Sequence, residues 1–153
     1  MKKNKRLNAF LAIELFSGEC FFEAHARMKS DTVALAIHNV FASLRQSGAE
    51  KVIIYMDQNP THKNQMLLNL ALLLVPGLVY QVKYLPAYSP NYNIVEFLIH
   101  RIRQSKLHHA PHQRNLEEIE KELSQFLNNK KPFPQEQIYN TLQHIRTQKQ
   151  TEL

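Results

Sequence analysis

Cysteine and glycine are both scarce in this sequence. Cys20 is the only cysteine among 153 residues, and glycine occurs 3 times. A single cysteine excludes an intrachain disulfide and any zinc site that is built on cysteine ligands, and it is typical of a protein in a reducing cytoplasm. With 44% hydrophobic residues, the chain can bury a core, and we expect one domain or part of one.

Long apolar runs are also missing. The most apolar stretch, Met66–Val75, is interrupted by Asn69 and is too short to span a bilayer. The basic start, Met1–Arg6, resembles the beginning of a signal peptide, but Glu14 interrupts the apolar run that follows and no small-residue cleavage site is present. We therefore expect no membrane partner, and a cytoplasmic location.

Acidic residues are outnumbered by basic ones. The formal net charge is +6 and the sequence pI is about 9.5. A basic balance of this kind favours polyanionic partners such as nucleic acid, although it is also compatible with a basic protein that has no such partner.

Hydrophobic periodicity predicts alternating strands and helices. Alternation of strands and helices along a chain predicts a mixed α/β sheet with helices on its faces. The predicted strands are Phe10–Phe16, Glu19–His25, Val52–Met56 and Leu78–Leu85. The predicted helices are one from Ser30 to a stop at Gly48, then Lys63–Val75, Ile94–His108, Leu116–Asn128 and Gln135–Lys149.

Asp57 comes directly after the apolar strand Val52–Met56. Open α/β sheets bind ligands beyond the carboxyl ends of their strands, where an acidic side chain is anchored by rigid backbone yet reaches a ligand. A strand-end aspartate often does no more than begin a turn. Asp57 is therefore a candidate metal ligand on position alone.

Glu96 follows a stiff loop that contains two prolines and two tyrosines, Leu85-Pro86-Ala87-Tyr88-Ser89-Pro90-Asn91-Tyr92-Asn93. Asn93 and Glu96 have the spacing of a capping box, which explains the pair without any chemistry. If strand Leu78–Leu85 shares a sheet with the strand before Asp57, however, the first turn of the next helix brings Glu96 towards Asp57. Two converging carboxylates form a hard-oxygen site suited to Mg²⁺ or Mn²⁺.

These segments resemble the catalytic domain of DDE-superfamily transposases, in particular bacterial insertion-sequence transposases of the mariner-related group. Val52–His62 is similar to their motif of a strand followed by an acidic residue and a histidine. The core Tyr-Ser-Pro-x-x-Asn-x-x-Glu of a second, highly specific motif is intact from Tyr88 to Glu96, and Arg103 matches a basic position in the helix that follows. The resemblance extends from about Leu7 to about Phe126.

The resemblance implies an RNase H-like fold, Mg²⁺ or Mn²⁺ as cofactor, and DNA, both transposon ends and target, as partner. It also implies a nucleoid-associated location in the cytoplasm. Asp57 would be the second catalytic and metal-binding carboxylate and Glu96 the third. The family's first catalytic aspartate lies on a strand before the hairpin, and we expect that strand to be missing here. DNA contacts are expected at five basic residues, which are His62, Lys63, Arg101, Arg103 and Lys106.

The expected architecture is an N-terminally truncated RNase H-like domain over residues 1–110, with a C-terminal helical extension over residues 111–153. The expected function is that of a transposase fragment for DNA cleavage and strand transfer. We expect it to be inactive alone, because two metals need three carboxylates. Partners would be an upstream half of a split transposase and, in the complete enzyme, a second copy. Two alternatives stay open: a non-catalytic DNA-binding or dimerisation remnant, and an unrelated nuclease that uses Glu14 beside Asp57 and Glu96.

Overall fold

The fold contains both helices and strands, as predicted. A computed structural model describes residues 8–57, 69, 75–86, 93–104, 115–128 and 130–151, with side chains to residue 147 in the last range. Its elements in chain order are β1 Asn8–Ile13, β2 Cys20–His25, α1 Ser30–Gln46, β3 Lys51–Met56, β4 Val79–Tyr84, α2 Ile94–Ile102, α3 Leu116–Leu127 and α4 Gln135–Thr151.

The strands pair as two small sheets within the described ranges. β1 and β2 are antiparallel, and β3 and β4 are parallel. With helices flanking them, this confirms the mixed α/β class and is consistent with an RNase H-like fold. The helix predicted over Lys63–Val75 lies outside the described residues except for Asn69, which is helical, and Val75.

The chain forms two compact units. The first comprises Met1–Ala26 with Asn91–Leu153, and the second comprises Arg27–Pro90. The domain boundary expected near residue 110 lies outside the described residues and stays a prediction. Among the described helices, none has both the length and the apolar character needed to cross a bilayer.

The first unit is built around the β1–β2 hairpin. Its strands pair from Asn8 opposite His25 to Ile13 opposite Cys20. α2 contacts β1, α3 contacts β2, and α2 also contacts α4. The shared core consists of buried side chains from these elements and the loops between them: Cys20, Phe22, Ile94, Leu98, Ile102, Leu123, Leu127, Phe133 and Ile138.

The outer edge of β2 is covered by the segment after α3. The Cys20 N–H donates to the Lys130 carbonyl oxygen at 2.8 Å, and the Phe22 N–H donates to Asn128 Oδ1 at 3.3 Å. These bonds satisfy edge donors that would otherwise invite another strand. Residues beyond α3 therefore belong to the same packed unit as the hairpin.

In the second unit, α1 packs next to the parallel β3–β4 pair. The helix buries an apolar stripe that includes Val33, Ile37 and Phe41, and the Phe41 ring lies 6.1 Å from that of Tyr80 in β4. Gly48 ends the helix as predicted: its φ is +98°, and its N–H donates to the Arg45 carbonyl oxygen at 3.0 Å. Glycine occupies this left-handed position without steric cost.

Candidate functional site

Asp57 stands directly beyond the carboxyl end of β3. β3 and β4 run parallel in a register that pairs Met56 with Tyr84, and the Leu85 N–H donates to the Met56 carbonyl oxygen at 2.7 Å. The backbone on which Asp57 sits is therefore held by the adjacent strand. The Asp57 side chain is half-buried, a placement that suits an anchored ligand at the ligand-binding end of parallel strands.

Glu96 lies in the first turn of α2. Asn93 is the N-cap, as predicted, and its Oδ1 accepts a hydrogen bond from the Val95 N–H at 3.1 Å. The Glu96 side chain is exposed, and among the described residues it makes no capping-box hydrogen bond back to the Asn93 N–H. A carboxylate in this position is favoured by the positive end of the helix dipole.

The chemistry of these two side chains fits a hard divalent cation. Each offers carboxylate oxygens, the ligands that Mg²⁺ prefers, and neither side chain is fully buried. Asp57 belongs to the second unit and Glu96 to the first, and their convergence stays a prediction. Within the described ranges, no three His, Cys, Asp or Glu side chains are grouped as metal ligands.

Two of the five predicted DNA-contact residues are described, and both lie on α2 or directly after it. Arg101 and Arg103 have exposed side chains. The Arg101 guanidinium is 3.2 Å from the side-chain oxygen of Gln137 in the amide orientation that satisfies both groups. His62, Lys63 and Lys106 lie outside the described residues, and their role stays a prediction.

Glu14 has a structural duty in the hairpin loop. Its carboxylate accepts hydrogen bonds from the Phe16 N–H at 2.9 Å and from the Ser17 N–H at 2.6 Å. Partial burial raises the Glu14 pKa, but the hydrogen bonds from Ser17 and Phe16 and the charge of Lys131 outweigh this effect and leave the pKa below its ordinary value. The nuclease alternative needs Glu14 beside Asp57 in one sheet; Glu14 belongs to the first unit and Asp57 to the second, and this alternative stays a prediction.

The contact between α2 and α4 is not predicted from the sequence. Phe97 and His144 meet edge-to-face with ring centres 5.7 Å apart. Together with the pairing of Arg101 and Gln137, this shows that the two helices run antiparallel. The available signal is the apolar spacing of Ile138, Leu142 and Ile145 on α4, which resembles that of the core-facing residues of α2.

The basic side chain of Lys83 lies close to the strand that carries Asp57. Lys83 Nζ lies 5.9 Å from the centre of the Tyr55 ring. Tyr55 and Lys83 are paired across β3 and β4, one residue before the last pair of the ladder, and both side chains are exposed. The cation is attracted to the electron-rich face of the aromatic ring.

Comparison with known proteins assigns the family. The sequence model of the DDE superfamily endonucleases matches residues 1–120, a range that contains Asp57, Glu96 and both strand pairs. Among curated proteins, no match to the chain was found. A match over most of the chain, on a mixed α/β fold with an aspartate at a parallel strand end, shows that the chain belongs to the DDE superfamily of endonucleases.

Proposed function

We propose that this chain is the C-terminal part of the catalytic domain of a bacterial insertion-sequence transposase of the mariner-related group. The family match supports a transposase-like function, with DNA as the substrate that the family implies. The observation that carries the finer proposal is the intact Tyr88-to-Glu96 motif, which leads into a helix that begins at Ile94 and is capped by Asn93.

Asp57 and Glu96 are the proposed catalytic and metal-binding residues. The half-buried Asp57 would provide a fixed oxygen ligand at a strand end, and Glu96 an exposed one at a helix start. Mg²⁺ or Mn²⁺, when bound, supplies activation of an attacking oxygen and stabilisation of a leaving oxygen. The carboxylates of the chain would hold such an ion through hard-oxygen ligands.

The exposed cations of α2 are proposed to contact the phosphate backbone. Arg101 and Arg103 would position the strand without reading its sequence, as would His62, Lys63 and Lys106. The pairing of Arg101 with Gln137 keeps its guanidinium in a defined place, which lowers the conformational entropy lost when a phosphate binds.

We further propose that the first carboxylate comes from a segment upstream of β1, in the same or a separate chain, and that residues 1–153 alone are inactive in DNA cleavage. Two carboxylates hold one Mg²⁺ weakly, because this ion keeps most of its waters. The complete enzyme would act as a homodimer at the nucleoid.

Metal titration tests the site. Calorimetric titration of the full chain with Mg²⁺ or Mn²⁺ is expected to show weak binding that is lost in Asp57→Asn and Glu96→Gln. Asp31→Asn is the matched control, because Asp31 is an acidic residue in the first turn of α1 whose carboxylate accepts from the Thr32 N–H. Equal metal binding by Asp57→Asn and the unmodified chain would remove the proposed site.

The second candidate function is a non-catalytic DNA-binding or dimerisation remnant. The exposed Arg101 and Arg103 and the net charge of +6 favour DNA binding that needs no metal. DNA affinity that is indifferent to Mg²⁺ and unchanged in Asp57→Asn would support this candidate over the catalytic one.

A further inference from the structure

The loop between β1 and β2 presents a bare aromatic ring to solvent. Phe16 is 90% exposed, more than any other large hydrophobic residue in the described part of the chain, and its neighbour Leu15 is 37% exposed. A contiguous exposed apolar patch marks an interaction site more often than scattered single residues do. The loop therefore has the character of a contact surface that the proposed metal site does not explain.

The backbone of Phe16 is held on both sides. Its N–H donates to the Glu14 carboxylate at 2.9 Å, and its carbonyl oxygen accepts from Gln135 Nε2 at 2.7 Å. The loop is thus tied both to itself and to the start of α4. Because this backbone is already held, less backbone entropy is lost when the ring binds a partner.

The segment that borders this loop, from Lys130 to Tyr139, carries another aromatic side chain and two cations. Tyr139 is 62% exposed and lies one helical turn beyond Gln135, on the same side of α4. The Lys131 charge acts on Glu14, and Lys130 bonds to β2 through its carbonyl oxygen. Both lysine side chains are exposed.

The ionised Glu14 carboxylate offsets part of the Lys131 charge, so an anionic partner is favoured by the net charge of +6 on the whole chain as well as by the lysines. The Glu14 carboxylate is turned towards the loop N–H groups, while Glu136 is exposed in the first turn of α4. Aromatic rings beside lysines are the combination that binds single-stranded nucleic acid, because bases stack on the rings and phosphates pair with the cations.

We propose that Phe16 is a stacking residue for unpaired bases of DNA, with Tyr139 and Lys131 beside it. The proposal rests on DNA being the substrate, as in the proposed function, and adds a contact away from Asp57 and Glu96 in the sequence. A second copy of the chain is the less favoured occupant. The exposed side chains of Leu15, Phe16 and Tyr139 offer far less surface area than the roughly 1,000 Å² that a stable protein interface buries.

The absence of tryptophan from the chain allows a direct test. Phe16→Trp introduces a single indole fluorophore at the loop, and its emission is expected to be quenched, and protected from acrylamide, when a single-stranded oligonucleotide of about 20 nucleotides binds. Leu35→Trp is the matched control, because Leu35 is 58% exposed on α1 in the other unit. Its emission is expected to stay unchanged.

Affinity provides the second measurement. Anisotropy of a labelled oligonucleotide is expected to show binding weakened about fivefold to a hundredfold in Phe16→Ala, from the loss of one stacked base, and unchanged in Leu35→Ala. The exposure of Phe16 means that its truncation leaves the core intact, which circular dichroism would verify.

The outcomes separate this proposal from the proposed function. The stacking role alone is overturned if the chain binds DNA while the emission of Phe16→Trp stays unaltered and the affinity of Phe16→Ala stays unchanged. Failure of the unmodified chain to bind DNA overturns both, whereas metal binding lost in Asp57→Asn concerns only the catalytic site. Protection of the Phe16→Trp fluorophore that rises with protein concentration in the absence of DNA overturns stacking in favour of a protein interface.

Discussion

At the scale of single residues, Glu14 shows how a charged side chain is used for structure. In the sequence it interrupts an apolar run, and in the fold it follows β1 directly and accepts the N–H groups of Phe16 and Ser17. A carboxylate that satisfies two turn donors stabilises the loop more than a neutral amide does.

Glu14→Gln is expected to destabilise the chain by about 1 kcal/mol, allowing for solvent screening at a partly exposed group. Because the folded pKa of Glu14 is lowered, its contribution is present above the unfolded pKa and is lost as pH falls through the folded pKa. Urea unfolding at pH 7 and pH 3 measures this. An equal difference in stability between the unmodified chain and the Glu14→Gln variant at both pH values would contradict the assignment.

Cys20 is a core residue, as expected for a lone cysteine in a strand. It is 0% exposed, and burial, together with the charge of Glu19, raises its pKa to about 11. Since the thiolate is the reactive form, both burial and the raised pKa protect this group.

Native Cys20 is therefore expected to react with a thiol reagent at pH 8 only as fast as the protein opens, and within seconds once urea unfolds the chain. Absorbance during reaction with a disulfide reagent measures the rate. Rapid labelling of a chain whose circular dichroism is native would show that Cys20 is more accessible than the structure indicates.

At the scale of elements, the hairpin loop and α4 meet at Gly18. Its φ is +78°, and a Cβ placed there would be 3.3 Å from Ile138 Cδ1 and 3.5 Å from the Phe133 carbonyl oxygen. Glycine is required both by its left-handed backbone and by the closeness of α4.

Gly18→Ala is expected to cost about 1–2 kcal/mol from the left-handed backbone, and more because Ile138 must shift. Gly48→Ala is the control, since Gly48 has φ +98° with nothing within 4 Å of the added Cβ. Thermal unfolding of both variants isolates the contact. Equal losses of stability would mean that Ile138 yields without cost.

At the scale of the whole molecule, the family match ends earlier along the chain than the packed core of the first unit does. The match ends at residue 120, yet the core of the first unit includes four later side chains, Leu123, Leu127, Phe133 and Ile138. These residues pack with α2, which carries Glu96, so the C-terminal helices support the element on which the proposed site depends.

A chain ended at residue 120 is therefore expected to lose cooperative unfolding of its first unit. Loss of one buried side chain costs about 2–5 kcal/mol. The loss of all four is therefore comparable to or larger than the free energy of unfolding of a domain, roughly 5–15 kcal/mol. The measurements are circular dichroism melting and amide shift dispersion against the full chain. A sharp transition in the shortened chain would show that the later helices are dispensable.

The sequence alone determined most of the described helices and strands and the candidate acidic residues. β1 spans Asn8–Ile13 and so ends before the predicted limit at Phe16, and the helix predicted over Lys63–Val75 stays a prediction apart from the helical Asn69. The strand that precedes Asp57, the cap at Asn93 and the stop at Gly48 are all predictable, because periodicity and capping depend on residues within one or two turns of each other. The motifs likewise point to the DDE superfamily, which the family match confirms.

Tertiary structure alone decided the contacts between distant parts of the chain. These contacts are the hydrogen bonds of Gln135 with Phe16 and of Arg101 with Gln137, and the hydrogen bond between β2 and the segment that follows α3. No local pattern specifies such pairs, because they arise only when separate apolar faces pack and bring unrelated polar groups within hydrogen-bonding distance. Convergence of Asp57 and Glu96 is a relation of the same long-range kind and stays a prediction.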